Sequence, residues 1–358
     1  MTVDLVPAPT DEQSMLVDAS VRFMESEHPL TTVRARADGA AYDDAAYRRT
    51  AAELGWFGML ADAAHGGGSM SGNGLLDAAL VAVERGARLQ PGPFVGHNVV
   101  VHALTTAGSH NDVLDELVTG RAWATWAGTT ARCTLEGSRL SGSIAVVADI
   151  EVCTWLLVDA TTDDRLACVL VRTDTPGVTL RSLGGLDVTR RWSAVELADV
   201  AVSDDDVLRS DVDLGEVAAV LGAAESVGAM QADFGVALQY AKDRIAFGRP
   251  IGSFQAIKHL LADTSLWLEM AKGLVAAAAT SLGSGAPDGA ELAHAAKAFV
   301  AERGLELAQN CFQVFGGIGY TWEHDQHFWF RRLAADAECF GSAATHRAQL
   351  LDTVRVTR

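Results

Sequence analysis

Apolar positions recur at three- and four-residue spacing in two long tracts, and the tract between them is made of short β-rich runs. From residue 12 to about 120 the pattern is helical. Met15, Ala19, Val21, Phe23 and Met24 mark one stripe, and Leu75 to Gly86 resumes the period until Pro91 and Pro93 interrupt it. HGGGSMSGNG, His65 to Gly74, reads as a loop. No strand precedes it and no Lys-Ser/Thr follows, so it is a weak phosphate cradle. From about 121 to 210 the runs AWATWAG, SIAVV, VCTWLLVDA, LACVLVR and WSAVELADVAV alternate with turns and predict a compact antiparallel β unit. The acidic run Ser203 to Asp206 is expected to end that unit and cap the next helix.

From about 212 onward the reading is all-helical. One stripe runs through Val217, Val220, Leu221, Ala224, Val227, Gln231, Phe234 and Leu238. A second joins Ile257, Leu260, Leu261, Thr264, Leu268, Ala271 and Val275. A third joins Leu292, Ala296, Phe299, Arg303, Leu307, Cys311 and Val314. Long striped helices in succession predict a bundle. The expected class is α+β: an N-terminal helical domain over 1–120, a β domain over 121–210 and a helical bundle over 211–358.

The net charge of −18 excludes a nucleic-acid face and an anionic membrane surface, though not a small anion gripped by a local cluster of donors. No basic leader opens the chain and no run of 18 apolar residues occurs, so neither secretion nor a membrane span is expected. The five cysteines are scattered and odd in number, which fits a reduced cytoplasm and buried thiols better than a disulfide framework.

Two segments carry the candidate chemistry. In RIAFGRPIGSFQ, the helix through Leu238 is expected to end near Arg249-Pro250. Arg244 and Phe247 would then share its last turn, with Gln255 opening the next helix. Arg244 can fork onto a pyrophosphate, and a helix start favours an anion. Equally, Arg244 can complement the helix dipole while Phe247 is core. In QVFGGIGYTWEHD, Gln313 lies four residues before Gly317. Gly316 and Gly317 can bring backbone N–H groups close to a ligand, or simply stop a helix. His324, Asp325 and His327 lack the spacing of a helical metal site, and polar contacts at a bundle end are the expected role.

Together these segments resemble the acyl-CoA dehydrogenase family. ELGWFGML, AAHGGG and VERGARLQPGPF are similar to its N-terminal helical domain, and RIAFGRPIGSFQAIKHLLAD and QVFGGIGYTWEHD to its C-terminal one. The resemblance implies three domains, ending in a four-helix bundle. It implies FAD as cofactor and an acyl-CoA as substrate, with a carboxylate removing the α proton while the β hydrogen leaves as hydride. It further implies that Arg244, Phe247, Gln255, Gln313, Gly316 and Gly317 contact the ADP half of FAD held by a neighbouring subunit.

The departures are as informative. The family's T-E-P-G-x-G-S-D loop and W-I-T/S strand are absent from TWAGTTARCTLEG and SGSIAVVADIEVC, and the β domain looks shortened. Counting nine residues on from Arg331 puts Phe340 where the commonest catalytic glutamate stands. A second known location falls on Ala218. Ser342 and Ala344 replace a Thr and Gln that bind FAD, so half of that pair is lost. Glu338 and Glu216 lie two residues from the empty positions, and on a helix a two-residue step turns a side chain by roughly 200°. This selective loss resembles the base-lacking subunit of the α2β2 heterotetrameric acyl-CoA dehydrogenases with which actinobacteria degrade steroid side chains. The implied partner is a homologous catalytic subunit, in the cytoplasm. Two alternatives stand beside it: a self-sufficient homo-oligomer with a relocated base, and an acyl-CoA-binding or structural subunit without flavin contact.

Overall fold

A computed structural model describes residues 5, 9–40, 43–128, 131–162, 166–208 and 213–356. Thr129 and Thr130 of the departing TWAGTTARCTLEG stretch, and the expected domain junction at 210/211, lie outside the described residues.

Six helices come first: α1 (Asp11–Glu27), α2 (Leu30–Ala37), α3 (Asp44–Glu53), α4 (Gly74–Ala87), α5 (Phe94–Ala107) and α6 (Asn111–Val118). Thr10 starts α1 through a reciprocal capping box with Gln13. Its buried face is Leu16, Val17, Ser20, Phe23 and Met24, whereas Met15 is exposed. The expected stripe was therefore one residue out at its first turn. Helix α4 is buried on nearly every side, because it lies between the N-terminal layer and the bundle. Its glycine Gly86 makes that crossing possible: a Cβ there would sit 1.8 Å from the Glu225 carbonyl oxygen.

The middle layer is one eight-stranded sheet: β1 (Ala124–Trp126), β2 (Ala131–Glu136), β3 (Arg139–Ala148), β4 (Trp155–Thr161), β5 (Leu166–Arg172), β6 (Val178–Leu183), β7 (Trp192–Ala201) and β8 (Val207–Leu208). The order is β6-β7-β3-β2-β4-β5-β8, with β1 also on β4. Most pairings are antiparallel as expected, but β1 and β2 both run parallel to β4, so the sheet is mixed. The acidic run does not end it. Ser203 caps a short 3₁₀ turn over Asp204–Asp206, the chain re-enters the sheet as β8, and Asp213 caps the next helix. A bulge between Ile144 and Val147 of β3 breaks the simple alternation of faces.

The C-terminal unit holds three long helices, α7 (Leu214–Asp243), α8 (Gln255–Gly283) and α9 (Gly289–Phe315), packed on one another. Two shorter ones, α10 (Gln326–Asp336) against α7 and α9 and α11 (Ala343–Val356) against α9, complete the bundle. The three predicted stripes supply its core through Val220, Leu221, Leu268, Val275, Leu307 and Cys311.

Candidate functional site

Two regions gather the chemistry, and the first is one end of the bundle. Helix α7 stops at Asp243, six residues before the expected break at Arg249-Pro250. A tight hairpin terminates it, not the proline. β9 (Ile245–Ala246) pairs with β10 (Arg249–Pro250), and Phe247 and Gly248 turn the corner with φ of 53° and 78°. Arg244 and Phe247 therefore do not share a helical turn. Arg244 is the extended cap residue of α7, and the Ile251 N–H donates to its carbonyl at 2.8 Å. Phe247 is not core: it is 95% exposed, with its ring edge-on to Phe254 at 6.2 Å.

Gln255 does open α8, and Gln313 does stand on the last turn of α9. The three helix ends converge because α8 and α9 run antiparallel, tied by Asn310 Nδ2 donating to Thr264 Oγ1 at 3.1 Å. Tyr240 of α7 packs on Phe315 of α9 with ring centroids 4.8 Å apart. Gly316 ends α9 with φ 61° and ψ −136°, a conformation that excludes other residues. A Cβ added at Gly316 or Gly317 would meet nothing within 4 Å, so the backbone lies open on this surface. Arg244, Gln255 and Gln313 are exposed, and among the described residues their side chains have no partner within the chain. The neighbouring His324–His327 segment makes the expected polar contacts, Arg34 Nε donating to Asp325 Oδ1 at 2.9 Å, and His327 also stacks on the Trp322 ring at 4.7 Å.

The second region is a cavity of about 270 Å³ where the N-terminal helices, the sheet and the bundle meet. Phe94 and Val95 open α5 on one side, and Trp126 and Trp192 come from the sheet. The β3 bulge turns the successive residues Val146 and Val147 both onto the wall. Phe340 closes the far side. Its ring is parallel to that of Trp126, 2° apart in plane and 6.4 Å between centroids. It is held in a left-handed conformation of φ 58°, and His346 Nε2 lies 2.8 Å from its carbonyl oxygen. Ala218 is fully buried and does not reach this cavity.

The expectation that Glu338 points away rested on a helical segment. α10 ends at Asp336 and residues 337–340 form a turn, so Glu338 joins Phe340 on the cavity rim. Glu216 lines a separate cavity with Asp62, His102 and Asp213. Burial, then the charge of Asp213, raises its carboxyl to about 7.

The sequence reading missed a buried ion network that reaches the cavity floor at Arg190 and Glu225 and continues beneath it. Arg190 bridges Glu225 of α7 at 2.6 Å and Asp336 of α10 at 2.5 Å. Arg332 bonds Asp187 at 2.6 Å and Thr189 at 2.5 Å, and Lys297 donates to the Asp336 carbonyl at 2.6 Å. The Arg190 and Arg332 bonds pin the loop between β6 and β7 onto the bundle, and Lys297 ties α9 to α10. Burial pushes the Glu225 carboxyl up, but Arg190 and Arg332 outweigh it and hold it below its ordinary value. A carboxylate committed to two guanidiniums is a poor proton acceptor. The available signal was Glu225, a lone charge inside the apolar run GAAESVGAM of α7.

Residues 10–118 match the family described as acyl-CoA dehydrogenase, N-terminal domain, and residues 216–354 the C-terminal domain of the same family. Acyl-CoA dehydrogenase IpdE2 of Mycobacterium tuberculosis is 31% identical over 337 residues, covering 93% of this chain and 94% of that protein. The chain belongs to the acyl-CoA dehydrogenase family. FAD is that family's cofactor. Among solved structures, a variant of the Tcur3481-Tcur3483 steroid ACAD superposes with a TM-score of 0.87 at 26% identity, covering 97% of this chain and 98% of that one. The ChsE4-ChsE5 complex of Mycobacterium tuberculosis superposes with a TM-score of 0.88 at 22% identity, over 99% and 100% of the two chains, which shows a shared fold. No helix among the described residues is long and apolar enough to cross a membrane.

Proposed function

We propose that this acyl-CoA dehydrogenase chain is the base-lacking subunit of an α2β2 heterotetramer, and that it grips the ADP half of FAD across a subunit interface. The observation that carries the reading is Phe340. It stands on the cavity wall, counting on from Arg331 assigns it to the family's commonest base position, and a phenyl ring cannot take a proton. Ala218, at the second location, is equally inert and buried.

The bundle end suits half of a dinucleotide. Arg244 would fork onto the pyrophosphate, and Gln255 and Gln313 would present amide donors. Gly316 and Gly317 would let backbone approach, because a side chain there would project into the open space a ligand needs. Phe247 would pack on the ligand as an exposed aromatic face. The flavin, when bound, accepts the hydride from the acyl Cβ, while protein groups orient it. A homologous partner would supply the carboxylate that removes the α proton. The steroid ACAD among the structural relatives supports a steroid side-chain thioester as the acyl group.

Flavin content tests the reading. The chain purified alone is expected to be colourless, and co-expression with the partner to give one FAD per heterodimer. A yellow single chain that an acyl-CoA bleaches would overturn it.

One observation favours a second reading, the self-sufficient enzyme. Glu338 shares the cavity rim with Phe340. If the chain alone turns over acyl-CoA, Glu338→Gln must abolish that turnover. Activity surviving in the variant would remove Glu338 as a base.

A further inference from the structure

One buried side chain just beyond the bundle-end glycines has nothing to bond. His327 is 6% exposed, and neither of its ring nitrogens has a hydrogen-bond partner. The Trp322 carbonyl stands near the ring but is engaged by Arg34 Nη1 at 2.6 Å. Whichever nitrogen carries the proton, the imidazole holds at least one N–H that the fold leaves without an acceptor. Folded chains rarely bury a polar group in that state unless something else completes it. His327 lines a cavity of about 220 Å³ between the β6–β7 loop, the turn after α9 and helix α10. None of Arg244, Phe247, Gln255, Gln313, Gly316 and Gly317 lines it.

The surroundings define what could complete it. The walls are rings: Phe312 meets Tyr320 edge-on at 4.4 Å and Phe330 at 5.4 Å, and Trp322 stacks on His327. The charge is positive, since Arg331 lines the cavity and no carboxylate does, in a chain whose net charge is −18. Arg331 Nη1 donates to the Leu186 carbonyl at 3.1 Å, and its Nε and Nη2 have no partner among the described residues. His327 and Arg331 stand four residues apart on α10, so their side chains share one face of the helix. The other polar groups are committed or wet. The Thr321 hydroxyl donates to the Ile318 carbonyl at 2.8 Å, the Trp322 indole to Asp38 at 3.2 Å, and Tyr320 is 80% exposed. An apolar cavity of about 150 Å³ holds one benzene ring, so about 220 Å³ leaves room for one ring and a carboxylate.

We infer that this cavity binds a single-ring aromatic carboxylate, whose oxygens accept from Arg331 and the His327 N–H while its ring lies against Phe312, Tyr320 and Phe330. The site is separate from the half-site on the bundle end and stands even if Arg244 does not touch FAD.

Calorimetry on the purified full chain at neutral pH tests it with benzoate, benzamide and acetate. Benzoate is expected to bind at least about tenfold tighter than either, because benzamide lacks the charge that Arg331 takes and acetate lacks the ring. Arg331→Gln keeps an N–H donor for the Leu186 carbonyl and removes the charge, so benzoate affinity should fall about tenfold. His327→Phe keeps a ring against Trp322 and removes the unpaired nitrogens. Its affinity should fall about fivefold while its melting temperature stays level or rises. The proposal is overturned if the unaltered chain does not bind benzoate, if benzamide or acetate binds as tightly, or if either variant binds benzoate as well as the unaltered chain.

Discussion

The bundle end and the cavity floor are both rich in polar groups, and they treat them in opposite ways. At and beneath the floor, Arg190 meets Glu225 and Asp336, Arg332 meets Asp187, and Lys297 donates to the Asp336 backbone carbonyl. At the bundle end, Arg244, Gln255 and Gln313 reach outward with no partner among the described residues. Paired buried charges report on how a fold is held. Unpaired exposed donors around open glycine backbone report on what the fold is offered to.

Truncation at each region separates the two. Arg332 and Asp187 have fully buried side chains, so Arg332→Ala strands Asp187 without its counter-charge. The expected cost is about 3–5 kcal/mol of unfolding free energy by chemical denaturation. Arg244→Ala should change stability by less than about 0.5 kcal/mol in the same experiment. If Arg332→Ala unfolds no more readily than Arg244→Ala, the floor is not the clamp described here.

Cofactor retention reverses the ranking. If the proposed half-site holds, Arg244→Ala in the purified complex should remove charge-assisted bonds worth about 1.5–3 kcal/mol, or roughly ten- to a hundredfold in FAD affinity. Arg244→Lys should fall between, since an ammonium keeps the charge and loses the fork. Equilibrium dialysis of FAD measures both. Unchanged retention in Arg244→Ala would end the half-site proposal.

Much of this was legible in the chain. The stripe of α8 appears as read from Leu261 to Val275, because a 3.6-residue period maps directly onto a buried face, whereas α7 is buried all round from Val217 to Met230 and then buries Asp233, Ala237 and Ala241 in place of Gln231, Phe234 and Leu238. Gln255 and Gln313 stand where their spacing put them. What escaped were features set by non-local contacts. The hairpin that ends α7 depends on Phe247 and Gly248 both adopting positive φ, and Phe is not a residue that announces this. The parallel pairing of β1 and β2 with β4 is a matter of topology, which strand propensity does not encode. Glu338 reached the cavity rim because α10 stops at Asp336, and no proline or early glycine marks that stop. The floor charges lie at scattered positions and find one another only in the tertiary fold.

Glu216 belongs to neither region and gives the smallest effect, yet one with a definite sign. It stands near the family's second base location but opens into a different cavity, beside Asp213. Its carboxyl is raised from 4.5 to about 7, by burial and then by Asp213. Between those values the folded chain holds a proton that the unfolded chain has released. Stability from this site is therefore greatest below pH 4.5 and falls as pH rises to about 7, where the folded carboxyl ionises. Glu216→Gln stays neutral throughout. Its melting temperature should match the unaltered chain at pH 4 and exceed it increasingly from pH 5 to pH 8. Half-burial screens the interaction, so the gain at pH 8 should be no more than about 1 kcal/mol. Melting curves that stay parallel across this range would mean that Glu216 ionises as freely as an exposed acid. A carboxyl so relaxed would also lose its standing as a proton acceptor poised near neutral pH, leaving Glu338 on the cavity rim as the rival to the base proposed for a partner subunit.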